Sequence, residues 1–113
     1  MTVQPHPVAA LLTPEMRARV AAATFVTHKH QVWRTRTLAK VRGRWCCPLA
    51  VAAGVSGSVG PFDVLYAIDG SRSRRLHEKS LCRAIQSFIT LVDDNQVRPE
   101  DVKPLLGCAD EAP

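Results

Sequence analysis

Apolar positions recur at helical spacing in one long stretch of the chain and in several short ones. The long stretch runs from Ser73 to Val92. At 100° per residue, Leu81, Ala84, Ile85, Phe88, Ile89, Leu91 and Val92 fall in one stripe roughly 160° wide. Lys79, Arg83, Gln86 and Thr90 lie on the other side. A stripe this broad belongs to a helix packed on a globular core, not to a narrow coiled-coil seam.

The shorter elements are marked by their ends. Thr13-Pro14-Glu15 is a helix start: a threonine hydroxyl accepts from an orphan N–H, proline suits the first turn, and an acid favours the positive end of the dipole. Met16, Val20 and Ala23 follow at helical spacing, which predicts a helix over Pro14–Ala23. Cys47-Pro48 opens a short helix through LAVAA that Gly54 ends, and Pro61 opens another through FDVLYAID that Gly70 ends. Between them GVSGSVG reads as a loop, and Pro99-Glu100-Asp101 begins a last helical turn ending at Gly107.

From Thr24 to Arg44 the pattern fits two structures. Thr, Val and Trp favour strand, and the odd positions Trp33, Thr35, Thr37, Ala39 and Val41 are mildly apolar, while the even ones include Arg34, Arg36, Lys40 and Arg42. No Pro or Gly interrupts the segment before Gly43, so a continued helix fits as well. The expected fold is therefore mostly α: a small single-domain bundle of one long central helix and several short helices, with a β-hairpin in residues 24–45 as the open alternative. Residues 1–12, carrying Pro5 and Pro7, are expected as an extended N-terminal arm. Residues 13–107 form the globular domain, and 108–113 are expected as a flexible tail.

Composition agrees with a small core. Leu, Ile, Val and Phe make up 29 of 113 residues, above the one-fifth or so below which a chain struggles to bury an interior. No uninterrupted apolar run exceeds the five residues of Leu49–Ala53, far from the ~20 a membrane span needs, so no membrane partner is expected.

Charge changes the picture most. The formal net charge is +5, but residues 1–60 hold eight basic side chains against the single acid Glu15. Residues 61–113 hold seven basic and nine acidic ones. Clustered cations raise a local potential that a polyanion answers, and nucleic acid is the most common polyanion. Lys29, Arg34, Arg36, Lys40, Arg42 and Arg44 are interleaved with Trp33 and Trp45, cations that suit phosphates and indoles that suit bases. The plainer role for the tryptophans is core, with arginine stems laid over them. A second cluster, Arg72, Arg74 and Arg75, precedes the amphipathic helix, where guanidinium groups and orphan N–H groups favour an anion. A solvated turn is its plainer reading. No zinc-finger, homeodomain or RNP pattern is present, so base-specific reading is not expected.

The thiols offer less. Cys46, Cys47, Cys82 and Cys108 follow no basic-then-apolar leader, which points to a reducing cytoplasm. Cys46 and Cys47, with His28, His30, His77 and Cys82, lack the paired spacing of a structural zinc site. Cys47 stands at a helix start, where a thiol pKa falls, but without a C-x-x-C or an assignable histidine it reads as structural. GVSGSVG lacks the Lys-Ser/Thr ending of a phosphate loop. No carboxylate pair or nucleophile–base pair stands out, so no enzyme activity, metal or cofactor is expected.

These observations point to a small cytoplasmic, non-catalytic module that binds nucleic acid non-specifically through a basic face. The nine cations Lys29, Arg34, Arg36, Lys40, Arg42, Arg44, Arg72, Arg74 and Arg75 would supply the contacts. The alternative is a protein-interaction module, a small inhibitor or adaptor of phage or plasmid type, docking on an acidic partner surface. A homodimer through the apolar stripe is a further option.

Overall fold

The Thr- and Val-rich run after Thr24 folds as three antiparallel strands: β1 (Phe25–Gln31), β2 (Arg34–Val41) and β3 (Arg44–Cys46), in that spatial order. The computed structural model describes residues 4–31, 34–57, 59–70 and 79–108, with the backbone alone at His30, Gln31 and Arg34. Five α-helices surround the sheet among these residues: α1 (Pro14–Ala22), α2 (Pro48–Ala53), α3 (Pro61–Asp69), α4 (Lys79–Asp93) and α5 (Val102–Leu105).

The expected mostly helical bundle is therefore corrected to an α+β fold with a three-stranded sheet. The single long central helix is corrected too, since α4 has 15 residues and is one of several helices sharing the core. Residues 73–78 of the expected long helix lie outside the described residues. The strand signal was muted for a physical reason. Arg36, Thr37, Leu38 and Ala39 are buried one after another, so β2 is covered on both faces and shows no clean alternation.

Local chemistry fixes the element ends. The Thr13 hydroxyl accepts from the Met16 N–H at 3.2 Å, with Pro14 in the first turn of α1. Cys47 does the same for α2 through its sulfur, which accepts from the Ala50 N–H at 3.4 Å, and Gly54 ends that helix at φ 76°. β2 and β3 are joined by the two residues Arg42 and Gly43, at φ 52° and 79°. Positive φ at both positions is the type I′ hairpin turn. The free edge of β3 is covered by the following loop, which makes a parallel bridge from Gly57 to Cys46 and accepts the Cys47 N–H at 3.1 Å.

The core joins α4 (Ile85, Phe88, Val92) to Met16 and Val20 of α1, most of α2, and Val64 and Leu65 of α3. Each such large side chain contributes about 1.5–3 kcal/mol when fully buried. The N-terminal segment belongs to this core, which corrects the extended arm. Residues Pro7–Leu11 form a 3-10 turn, and Val8, Ala9 and Leu12 are buried. Proline favours the first turn of a helical element, and the His6 ring nitrogen Nδ1 caps it by accepting from the Val8 N–H at 3.0 Å. The His6 amide donates to the Leu105 carbonyl at 2.8 Å, and the Arg17 guanidinium to the Ala9 carbonyl at 3.0 Å. Cys108, expected in the tail, is buried as well, while 109–113 lie outside the described residues. Among the described residues no helix is long and apolar enough to cross a membrane.

Candidate nucleic-acid interface

The strand register sorts the expected cations into different places. Lys29 lies near the end of β1, exposed and opposite Thr35. Lys40, Arg42 and Arg44 are exposed at the other end of β2, around the type I′ turn. Seven residues of strand separate Thr35 from Arg42, about 23 Å at the usual rise. Arg34 stands at the start of β2 with only its backbone described, and Arg72, Arg74 and Arg75 lie outside the described residues.

Arg36 leaves the expected interface. Its side chain is 9% exposed, and its Nη1 meets the Asp93 carboxylate at 2.5 Å. Its Nε is buried without a partner. A guanidinium this far removed from water and paired with a half-exposed carboxylate presents little of its charge to a phosphate at the surface. The acidic C-terminal stretch takes up one further cation locally: Arg98 pairs with Glu100 at 3.4 Å and with Asp101 at 3.1 Å. Lys29, Lys40, Arg42 and Arg44 make no ion pair among the described residues.

Trp45 is half-buried and sits opposite Lys40 in the register. His28, from β1, stacks on it with ring centroids 3.8 Å apart and planes 16° from parallel. The two rings thus reach towards each other across β2, on the face that Leu38 shares, and Leu38 is buried. The Lys40 ammonium lies 5.8 Å from the indole centroid, within cation–π range. One indole face is taken by the imidazole, so Trp45 serves the sheet first and offers a base little free surface. Trp33 lies outside the described residues.

Arg19 is the residue that sequence reasoning missed. It sits exposed in the last turn of α1 and donates through Nη1 to the Ala52 carbonyl at 2.9 Å, capping the end of α2. Its guanidinium lies against Gly54, where an added Cβ would come within 3.4 Å of Cζ. Beside it opens a groove of about 490 Å³, lined by Arg19 and Arg42 together with the small residues Ala22, Ala53 and Gly54. No Asp or Glu is among the described residues that line it. Nothing local in the sequence around Arg19 distinguishes it from other helix-surface arginines, because the groove exists only once α1 meets the hairpin turn.

The thiols are placed as structural groups. Burial pushes the Cys47 thiol above its usual range, outweighing hydrogen bonds from the Ala50, Val59 and Leu49 amides and the charge of Arg36. Burial raises Cys108 likewise, against Arg17 and Lys103. Both stay protonated near neutrality and are poor nucleophiles. His28, Cys46, Cys47 and Cys82 belong to no group of three that would hold a metal among the described residues. Compared with protein-family models, curated proteins and solved structures, the chain matches none.

Proposed function

We propose that the chain is a small non-catalytic module that binds nucleic acid through the tip of the β2–β3 hairpin. The observation that carries this reading is the trio Lys40, Arg42 and Arg44, exposed within five residues and free of ion pairs among the described residues. Arg19 adds a fourth cation across the groove from Arg42. The mechanism is phosphate neutralisation with counterion release, which needs neither base contacts nor a metal. Trp45 and His28 stiffen the sheet behind the tip and contribute little base reading.

A hairpin tip with three unpaired cations suits either a nucleic-acid backbone or an acidic protein surface. The second is favoured by Phe62 and Tyr66, 57% and 44% exposed and one turn apart on α3. Aromatic pairs of this kind are enriched at protein interfaces. Cys46, Cys47 and Cys108 are free thiols, as a reducing compartment keeps them, and the cytoplasm is the compartment we propose.

The test is fluorescence anisotropy with a labelled 20-nucleotide strand and a labelled duplex at low salt. Saturable binding of either, lost in the combined variant Lys40→Gln, Arg42→Gly, Arg44→Gln, is expected. No saturable binding at low salt contradicts the proposal. Binding of a poly-glutamate peptide instead, dependent on Phe62 and Tyr66, favours the acidic partner.

A further inference from the structure

The groove between Arg19 and Arg42 has features that a flat, phosphate-tracking surface does not need. Its two cations come from elements far apart in sequence, the end of α1 and the turn after β2, yet they line one concavity that has no Asp or Glu among its described lining residues. Like charges that line one concavity repel, and an anion bound among them reverses the sign of that interaction. Arg42 also occupies a left-handed position at φ 52°, where Asn, Asp or Gly is the usual residue of a type I′ turn. Turn geometry therefore does not account for an arginine there. Arg19 is held in place by the Ala52 carbonyl and by Gly54, so its guanidinium meets a ligand already oriented.

We propose that this groove receives the terminal phosphate of a nucleic-acid strand, a deepening that rests on the reading under Proposed function. The volume of about 490 Å³ falls among small-ligand clefts and admits one nucleotide, whereas a duplex running past it has no way in. A terminal phosphate monoester carries close to a second negative charge near neutrality, and an internal diester carries one. Two guanidinium groups therefore favour the end of a strand over its middle. The small side chains of Ala22, Ala53 and Gly54 leave room for the sugar and base behind that phosphate. Arg44 pairs with the groove-lining Val41 and shares its face of the hairpin, placed to meet the next phosphate of the same strand, whereas Lys40 pairs with Trp45 on the other face.

The experiment measures binding of strands of one sequence ending in 5′-phosphate, 3′-phosphate or hydroxyl groups alone, with adenosine monophosphate and adenosine as free-ligand probes. One of the two phosphorylated ends is expected to bind about tenfold tighter than the hydroxyl-ended strand, the scale of one added charge-assisted pair. Arg42→Gly, which suits the positive φ and keeps the turn, should erase that preference. Arg44→Gln should weaken all three strands alike and keep it. Equal binding of all ends overturns the strand-end proposal and leaves the general reading standing. Saturable adenosine monophosphate binding without any end preference also overturns it, in favour of a free nucleotide. Absence of binding to every strand overturns both.

Discussion

The two ends of β2 carry the same kind of residues and use them in opposite ways. At the Thr35–Thr37 end the last residue of α4 and the segment after it take up each polar group in turn. The Asn95 side chain donates to the Thr35 hydroxyl at 3.1 Å, Asp93 takes Arg36, and the Thr37 hydroxyl donates to the Val97 carbonyl. At the Lys40–Arg44 end the chain reverses in two residues, and among the described residues no carboxylate pairs with its cations. An arginine is thus a fold-holding group at one end and a surface cation at the other. What decides is not its sequence neighbours but whether a carboxylate some 57 residues away is folded against it.

That contrast is broken most forcefully at Asp93. Asp93→Ala leaves the Arg36 charge buried and unpaired, and should cost about 2–3 kcal/mol in urea unfolding, somewhat below a pair buried on both sides. Arg36→Met removes the charge and keeps the stem, so it should cost about 1 kcal/mol or less, since apolar replacement of a buried pair is often near neutral. If Arg36→Met is the more damaging change, the charge is not what the site must neutralise. The opposite end should respond in binding instead. The combined Lys40, Arg42 and Arg44 variant should keep its unfolding free energy within about 1 kcal/mol. It should lose about 30- to 100-fold in affinity for a nucleic-acid strand near physiological salt.

Smaller effects sharpen the same comparison. Arg42→Asn should stabilise the protein by about 0.5–1 kcal/mol, because asparagine tolerates the left-handed turn position better than arginine. A stability gain coupled to weaker strand binding would identify Arg42 as a residue retained for its charge. His6, remote from both ends, gives the last effect. Its Nδ1 accepts from the Val8 N–H, its Nε2 lies 3.2 Å from the Ser87 hydroxyl, and its ring meets Phe88 edge-on at 5.3 Å. Burial lowers its pKa below the ordinary 6.5, so the fold favours the neutral ring. The stabilisation is therefore present above pH 6.5 and is lost as pH falls through the lowered value. His6→Gln should show a smaller drop in melting temperature between pH 7.5 and 5 than the unmodified chain; an equal drop would remove His6 from that dependence.

Where local chemistry sets structure, the sequence was legible. Thr13-Pro14, Cys47-Pro48 with Gly54, and Pro61 with Gly70 mark helix ends that the fold adopts, because capping and proline geometry act within a turn. The apolar stripe of α4 likewise points Ile85, Phe88 and Val92 into the core. The sheet was only half legible: residue preference offered a hairpin in residues 24–45, but burying β2 on both sides erases the alternation that would have separated strand from helix. The docking of residues 6–12 was not legible, because its anchors Leu105 and Ser87 lie far along the chain. The candidate interface divides along the same line. Lys40, Arg42 and Arg44 were visible as a cluster, but the loss of Arg36 and the gain of Arg19 both depend on long-range packing.

The central claim is that unpaired cations at the hairpin tip, and not the basic composition at large, contact a polyanion. It is tested most directly by the slope of log affinity against log salt for one short strand, in the unmodified chain and in the Lys40, Arg42 and Arg44 variant. Each phosphate contact contributes about 0.7 to that slope for a single strand, so the variant's slope should be shallower by about 2. Equal slopes in the two proteins would place the contacts elsewhere on the molecule and contradict the claim.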